Sequence, residues 1–251
     1  MRWTLLVDPA GRPGWHNMAV DQALLDLAAG EGRAFLRIYR WGPSCLSFGR
    51  NEPALRRYDR AAIERQGLDT VRRPTGGRAV WHADEVTYAV AAPIETFGTL
   101  AESYRRIHET IAEALRTLGF SAGLASPPGR ASALDAGACF ASPAGGEVML
   151  PGGKVVGSAQ LREGGAFLQH GSILLSGSQQ LVSDLTLGAP PPDGSIALAT
   201  TRGAPVLFDH VARAFAEAAR GWSPEPWSSE TNAAALASAT DRHVPRFRGA
   251  D

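Results

Sequence analysis

Lysine is almost missing from this chain. Of its 25 lysine and arginine side chains, Lys154 alone is a lysine. Arginine therefore fills nearly every cationic position. A single lysine becomes a candidate for work a planar guanidinium cannot do, that of a compact ammonium with a tunable proton; the bland alternative is one surface lysine kept by chance. Cysteine is scarce as well. Cys45 and Cys139 stand far apart, which is no disulfide framework and suits a reducing cytosol. Neither sign of charge is in excess, with 25 acidic against 25 basic side chains, so nothing pulls the whole chain toward nucleic acid or membrane. Long apolar runs are absent too: Met1 to Val7 is too short for a signal peptide, and no stretch is long enough to span a bilayer. These absences describe a cytoplasmic protein with no nucleic-acid and no membrane partner, open only to local charged patches.

What is present suffices for a core. The chain has 251 residues, 44% of them hydrophobic, and shows no internal repeat and no linker, so one domain over residues 1–251 is expected. Asn17 is placed to cap a helix from Met18 to about Ala29. Phe35 to Trp41 and Cys45 to Phe48 read as strands, Ala61 to Gln66 as a short helix, and Thr70 to Arg73, Ala79 to His82 and Val86 to Ala92 as strands. Leu100, Tyr104, Ile107, Ile111, Leu115 and Leu118 form one stripe of a helix, with a capping box at Thr99 and Glu102 and a stop at Gly119. His108 falls beside that stripe and is expected on the helix surface. Residues 121–146 read as a long loop that contains Cys139. Glu147 to Leu150, Lys154 to Leu161 and Ala166 to Leu175 suggest a meander of strands. Ser176 to Pro205 is expected to be mostly loop, Val206 to Arg220 a helix, and Thr231 to Ala239 a short final helix.

The chemistry concentrates in three segments. The first runs Arg72-Arg73-Pro74-Thr75-Gly76-Gly77-Arg78-Ala79-Val80-Trp81-His82. Bare glycines let a backbone lie close to a ligand, and two arginines beside them offer donors to carboxylate or phosphate oxygens. An ordinary turn flanked by solvated arginines would read the same way. The second segment is Lys154-Val155-Val156-Gly157-Ser158-Ala159-Gln160. The third is Gln169-His170-Gly171-Ser172-Ile173-Leu174-Leu175.

Taken in that order, the three resemble the lipoate-protein ligase and octanoyltransferase superfamily, which is related to the biotin protein ligases. The resemblance covers about Met18 to Leu175. It implies an α/β (α+β) fold, with a mixed, largely antiparallel sheet flanked by helices. Within the superfamily the chain looks like the cysteine-dependent octanoyl-[acyl-carrier-protein]:protein N-octanoyltransferases. ATP-using ligases carry a third glycine where Arg78 stands, and Gly-Asn where Asp84-Glu85 stand. Cys139-Phe140 lies in the loop ahead of the lysine, as in that transferase class. A second class keeps its cysteine after the lysine, and none follows Lys154 here.

The resemblance implies catalytic roles for Cys139 and Lys154. For substrate binding it implies Arg72, Arg73, Thr75, Gly76, Gly77, Arg78, Ala79, His82, Gly157, Ser158, Ala159, His170 and Gly171. It implies no metal and no cofactor; ATP and Mg²⁺ would enter only in a ligase. The donor would be octanoyl-acyl carrier protein, and the acceptor a lipoyl-domain or glycine-cleavage H protein. A cysteine nucleophile would conserve the thioester bond and make ATP unnecessary. Taken alone, His82 and His170 also fit hydrogen-bonded structural histidines, and Cys139 also fits a small apolar anchor. Cys45 reads as a core strand residue. Arg56, Arg57 and Arg60 form a basic run that fits either a docking patch for an acidic carrier or a solvated helix face. An ATP-dependent ligase, an amidotransferase between lipoyl proteins and a non-catalytic binding module remain alternatives.

Overall fold

A computed structural model describes residues 1–126, 146–190, 192–229 and 233–248. Cys139 lies outside the described residues. The main sheet has five strands: β1 (Trp3–Arg12), β2 (Ala34–Trp41), β6 (Glu85–Pro93), β11 (Ala166–Leu174) and β10 (Val156–Glu163), hydrogen-bonded in that order. The β1–β2 pair is parallel and the other three pairs are antiparallel. The sheet is therefore mixed and largely antiparallel, as the resemblance implies.

Both faces of this sheet are covered, and its central strands are buried along nearly their whole length. Phe35 and Tyr39 of β2 point to one side, with Met18, Leu24 and Leu25 of α1 (Gly14–Glu31) and Phe247 of α8 (Ala233–Arg248). Leu36 and Ile38 point to the other, with Ile107, Ile111 and Leu115 of α4 (Leu100–Thr117) and Phe215 of α7 (Phe208–Ala219). That alternation is the period-two geometry of a strand.

A second sheet leans on the first. It joins β4 (Asp69–Arg72), β3 (Cys45–Phe48) and β5 (Val80–His82) in that order. Two short helices, α2 (Ala54–Arg57) and α3 (Arg60–Arg65), precede β4. A third sheet pairs β7 (Gly123–Leu124), β8 (Val148–Leu150) and β9 (Gly153–Lys154). The expected meander is thus divided: β10 and β11 make a hairpin in the main sheet, while the Pro151-Gly152 turn folds β8 against β9 in a sheet of their own. The stretch expected to be loop carries α5 (Gln180–Leu185) and α6 (Leu198–Arg202).

Three expectations are corrected. Asn17 is no cap: the helix starts at Gly14, after Pro13. The Asn17 amide instead donates to the carbonyls of Arg12 and Arg40, at 3.1 Å each, and its oxygen accepts from Arg37. The last helix runs on through Pro245 to Arg248. It continues because tertiary partners hold it: Phe247 is buried, and His243 bonds Asp26 of α1 at 2.7 Å. His108 is fully buried rather than on the surface. Cys45 is a core residue as expected, and burial pushes its thiol pKa well up.

Candidate active site

The three sequence segments meet at the seam between the first and second sheets. In the β10–β11 hairpin, Ser158 stands opposite Gly171 and Ala159 opposite His170. The Thr-Gly-Gly turn enters from the second sheet, between β4 and β5. A small cleft opens there. Arg73, His82, Gly157, Ser158, Ala159, His170 and Gly171 line it, together with Met18, Tyr39, Trp41 and Ser47. Arg72, Thr75, Gly76, Gly77, Arg78 and Ala79 do not line it: Arg72 faces another hollow beside Phe48 and Tyr58, and Gly76 and Gly77 are exposed.

Arg73 holds the turn together. Its guanidinium donates to the carbonyls of Gly76 (2.8 Å), Arg78 (2.6 Å) and Ser47 (3.1 Å), and to the Ser47 hydroxyl (3.0 Å). Arg72 donates to the carbonyls of Gly49 and Glu52. Both arginines thus serve the backbone, which is a different task from the open oxygen-binding donors expected of them. Gly49 shows why the turn can close. A Cβ there would come within 2.0 Å of the Gly77 carbonyl oxygen.

Two parallel chains of hydroxyl, imidazole and carboxylate cross the seam. In the first, Thr75 Oγ1 lies 2.6 Å from His170 Nε2, and His170 Nδ1 lies 2.9 Å from Asp21 of α1. Asp21 also accepts from Arg37 (2.9 Å) and Tyr39 (2.8 Å). Burial holds His170 below the usual imidazole pKa. The neutral ring then donates from Nδ1 to the carboxylate and accepts from the Thr75 hydroxyl at Nε2. In the second chain, Ser47 Oγ is 2.8 Å from His82 Nε2, and His82 Nδ1 is 2.8 Å from Glu85. Trp41 stacks on the His82 ring with centroids 3.9 Å apart.

A third chain ends at His108. Its Nδ1 is 2.7 Å from the Gly146 carbonyl, and a carbonyl only accepts, so Nδ1 carries the proton. Burial lowers the His108 pKa to about 4, which leaves Nε2 as an acceptor for the Ser158 hydroxyl at 2.8 Å. Ser158 in turn accepts from Tyr88 (2.7 Å), and Tyr88 accepts from Gln169 (2.9 Å). Gly171 makes room for this. A Cβ on it would sit 2.4 Å from Ser158 Oγ and 2.9 Å from the Tyr88 ring.

Lys154 is 1% exposed, and its ammonium meets the Glu147 carboxylate at 2.5 Å. It is not part of the cleft lining, and its charge helps to lower the pKa of His108. Sequence reasoning missed Glu147, His108, Asp21, Glu85, Tyr88 and Ser47. Glu85 lies three residues after His82, and that spacing was its one local signal.

Comparison with known proteins bears on the family and the fold. Residues 13–197 match the model of the lipoyl protein ligase A/B catalytic domain. The chain is 40% identical to octanoyltransferase LipM of Kyrpidia tusciae over 234 residues, covering 86% of this chain and 85% of that protein. It is 39% identical to octanoyltransferase LipM of Exiguobacterium sp. over 197 residues, with 72% and 69% covered. Among solved structures, a lipoate-protein ligase A bound with ATP superposes with a TM-score of 0.79 at 21% identity, covering 98% of this chain and 95% of that one. The bi-partite lipoate protein ligase of Thermoplasma acidophilum gives 0.75 at 19%, with 98% and 93% covered. The structural likenesses establish the fold. With the family match over most of its length, the chain belongs to the lipoyl protein ligase A/B catalytic domain family.

Proposed function

We propose that the chain transfers an octanoyl group from acyl carrier protein to a lysine amine of a lipoyl-domain or glycine-cleavage H protein. The observation that carries this reading is the 40% identity to an octanoyltransferase over 86% of the chain. On the same ground the chain is an acyltransferase enzyme. The reaction runs in two exchanges. The Cys139 thiolate attacks the thioester carbonyl, a new C–S bond forms, and the carrier thiol leaves with a proton. The acceptor amine then attacks, the C–N bond forms, and the Cys139 thiol is released. Energy is conserved in the thioester, so no ATP is consumed.

The cleft suits an acyl tail. Burying the six methylenes of an octanoyl tail stabilises the complex by roughly 5 kcal/mol. The strand β10 ends the sheet order, so alternate N–H groups of Gly157, Ser158 and Ala159 face away from β11 and are suited to the carbonyl oxygen. Lys154 would donate to that oxygen as its charge develops. A reducing compartment such as the cytosol keeps the Cys139 thiol competent.

The test is incubation with octanoyl carrier protein and apo-acceptor, with and without ATP and Mg²⁺. The expected result is ATP-independent octanoylation of the acceptor. Without acceptor, intact-mass analysis should find an octanoyl adduct on the chain that hydroxylamine removes and Cys139→Ser abolishes. Transfer only from free octanoate with ATP would make the chain a ligase. Cys139→Ser at the wild-type rate would end the covalent route.

A further inference from the structure

A buried ion pair is a poor stabiliser. Taking an ammonium and a carboxylate out of water costs about what their attraction returns, and apolar replacements are often neutral or better. Lys154 and Glu147 are such a pair, 1% and 5% exposed. The chain also had an alternative to hand. Everywhere else it uses arginine, whose planar fork binds a carboxylate through two bonds. Keeping one lysine at depth, in the weaker pairing, calls for a reason other than stability.

Both members stand on backbone that is fixed on two sides. Lys154 is paired with Met149 across the β8–β9 hairpin. Its N–H donates to the Gly194 carbonyl and its own carbonyl accepts from Ile196, each at 3.0 Å. Gly153 permits that approach, because a Cβ on it would lie 2.7 Å from the Gly194 oxygen. On the other side, the Glu147 carbonyl accepts from Ala125 N–H at 2.7 Å. Its neighbour Gly146 is held by Ala125 and by His108 Nδ1. His108 also holds Ser158 of the cleft wall. The ion pair is thereby tied through one imidazole to the strand that lines the cleft.

We infer that Glu147 is a positioning residue for the transfer reaction: its carboxylate fixes the direction in which the Lys154 ammonium presents its proton-bearing nitrogen. An ammonium has three donors on a rotatable stem. A carboxylate that takes one of them restricts the rotation of the head group. The inference rests on the acyltransfer reading, in which Lys154 stabilises the reacting carbonyl.

The test is a double-mutant cycle on turnover with octanoyl carrier protein. Glu147→Gln should lower kcat about a hundredfold, the order of loss for a displacement of roughly 1 Å, with KM for the donor unchanged. Glu147→Asp should recover part of that loss. Once the lysine is removed, the carboxylate has nothing to aim, so Glu147→Gln/Lys154→Ala should be no slower than Lys154→Ala. A merely structural Glu147 would slow both backgrounds alike. The inference is overturned if Glu147→Gln turns over at the wild-type rate, or if the two losses multiply in the double variant. If Glu147→Gln does not fold, Glu147→Asp and the double variant, which buries no unpaired ammonium, carry the same comparison. Full activity of Lys154→Ala would instead sink the role given to the lysine, and with it the reading on which this inference stands.

Discussion

Arg73 and Lys154 hold their charges in different ways. Arg73 spreads its donors over three carbonyls and a hydroxyl and so shapes a turn. Lys154 concentrates its charge on one nitrogen in a space with 1% exposure. A guanidinium at 154 would be too wide for that space, and overpacking a core site costs about 1–3 kcal/mol. Lys154→Arg should therefore lose about a hundred- to a thousandfold in transfer rate while keeping a cooperative melt, as steady-state kinetics and thermal unfolding will show. A Lys154→Arg enzyme at the wild-type rate would make the single lysine an accident of composition. That this lysine stands alone was readable from the sequence, because rarity is visible in a count. Its partner was not. Glutamates are common along the chain, and seven residues of separation carry no signal until the β8–β9 hairpin folds them together.

Among elements, α4 was the most legible. Its capping box forms as expected, with Thr99 accepting from Glu102 N–H at 3.2 Å and the Glu102 carboxylate accepting from Thr99 N–H at 2.7 Å. His108 on the same helix was misread. Periodicity places it at the margin of the apolar stripe, and only Gly146 and Ser158, from other segments, decide that it is buried. The start of α1 and the length of α8 were misjudged for the same reason: Asn17 and Phe247 take their partners from distant parts of the chain. The burial of His108 has a measurable consequence. Burial lowers its folded pKa to about 4, below the ordinary imidazole value of 6.5. Between those values the unfolded chain binds a proton that the folded chain does not. Stability must then fall as pH drops through this window, by about 1.4 kcal/mol per pH unit for such a group. Urea unfolding of His108→Asn should be weaker at pH 7 and should show a shallower loss toward pH 5 than the wild type. An unchanged slope would mean that His108 does not carry the effect. His170, also held neutral by burial, adds to the wild-type slope and remains in the variant.

For the molecule as a whole, the charges balance but their placement does not. Arg56 and Arg57 on α2 make no ion pair among the described residues, whereas Arg60 is matched by Glu64 at 2.8 Å. Leu55 and Leu187 beside them are 67% and 53% exposed. Leu187 N–H bonds the Arg57 carbonyl, which joins the two stretches. In the proposed reaction, an acidic carrier bringing its acyl group on a phosphate-linked arm would be drawn to these two arginines. With a Debye length of about 10 Å at 0.1 M salt, the rate with octanoyl carrier protein should fall as salt rises. Arg56→Ala/Arg57→Ala should flatten that dependence and leave a small octanoyl thioester unaffected. A flat wild-type profile would remove the patch from the mechanism. The sheet class and the convergence of the three motifs were legible at this scale, because each motif is local. The seam between two sheets was not, since it exists only where distant strands are brought together.

That seam has a further consequence for what the cleft will admit. By composition its wall is rich in hydroxyls, imidazoles and a guanidinium, yet each of these side chains is already bonded to a neighbour: Ser47 to His82, Tyr39 to Asp21, Trp41 to Thr87, Ser158 to His108, Ser172 to Glu85. To a visiting chain such a wall behaves as hydrocarbon. A hydroxyl or keto group along the acyl tail would give up water and find no replacement, at a cost of about 1–3 kcal/mol. The pool of half-processed acyl chains that share a carrier with the saturated one would thus be disfavoured by a wall whose described side chains already have partners.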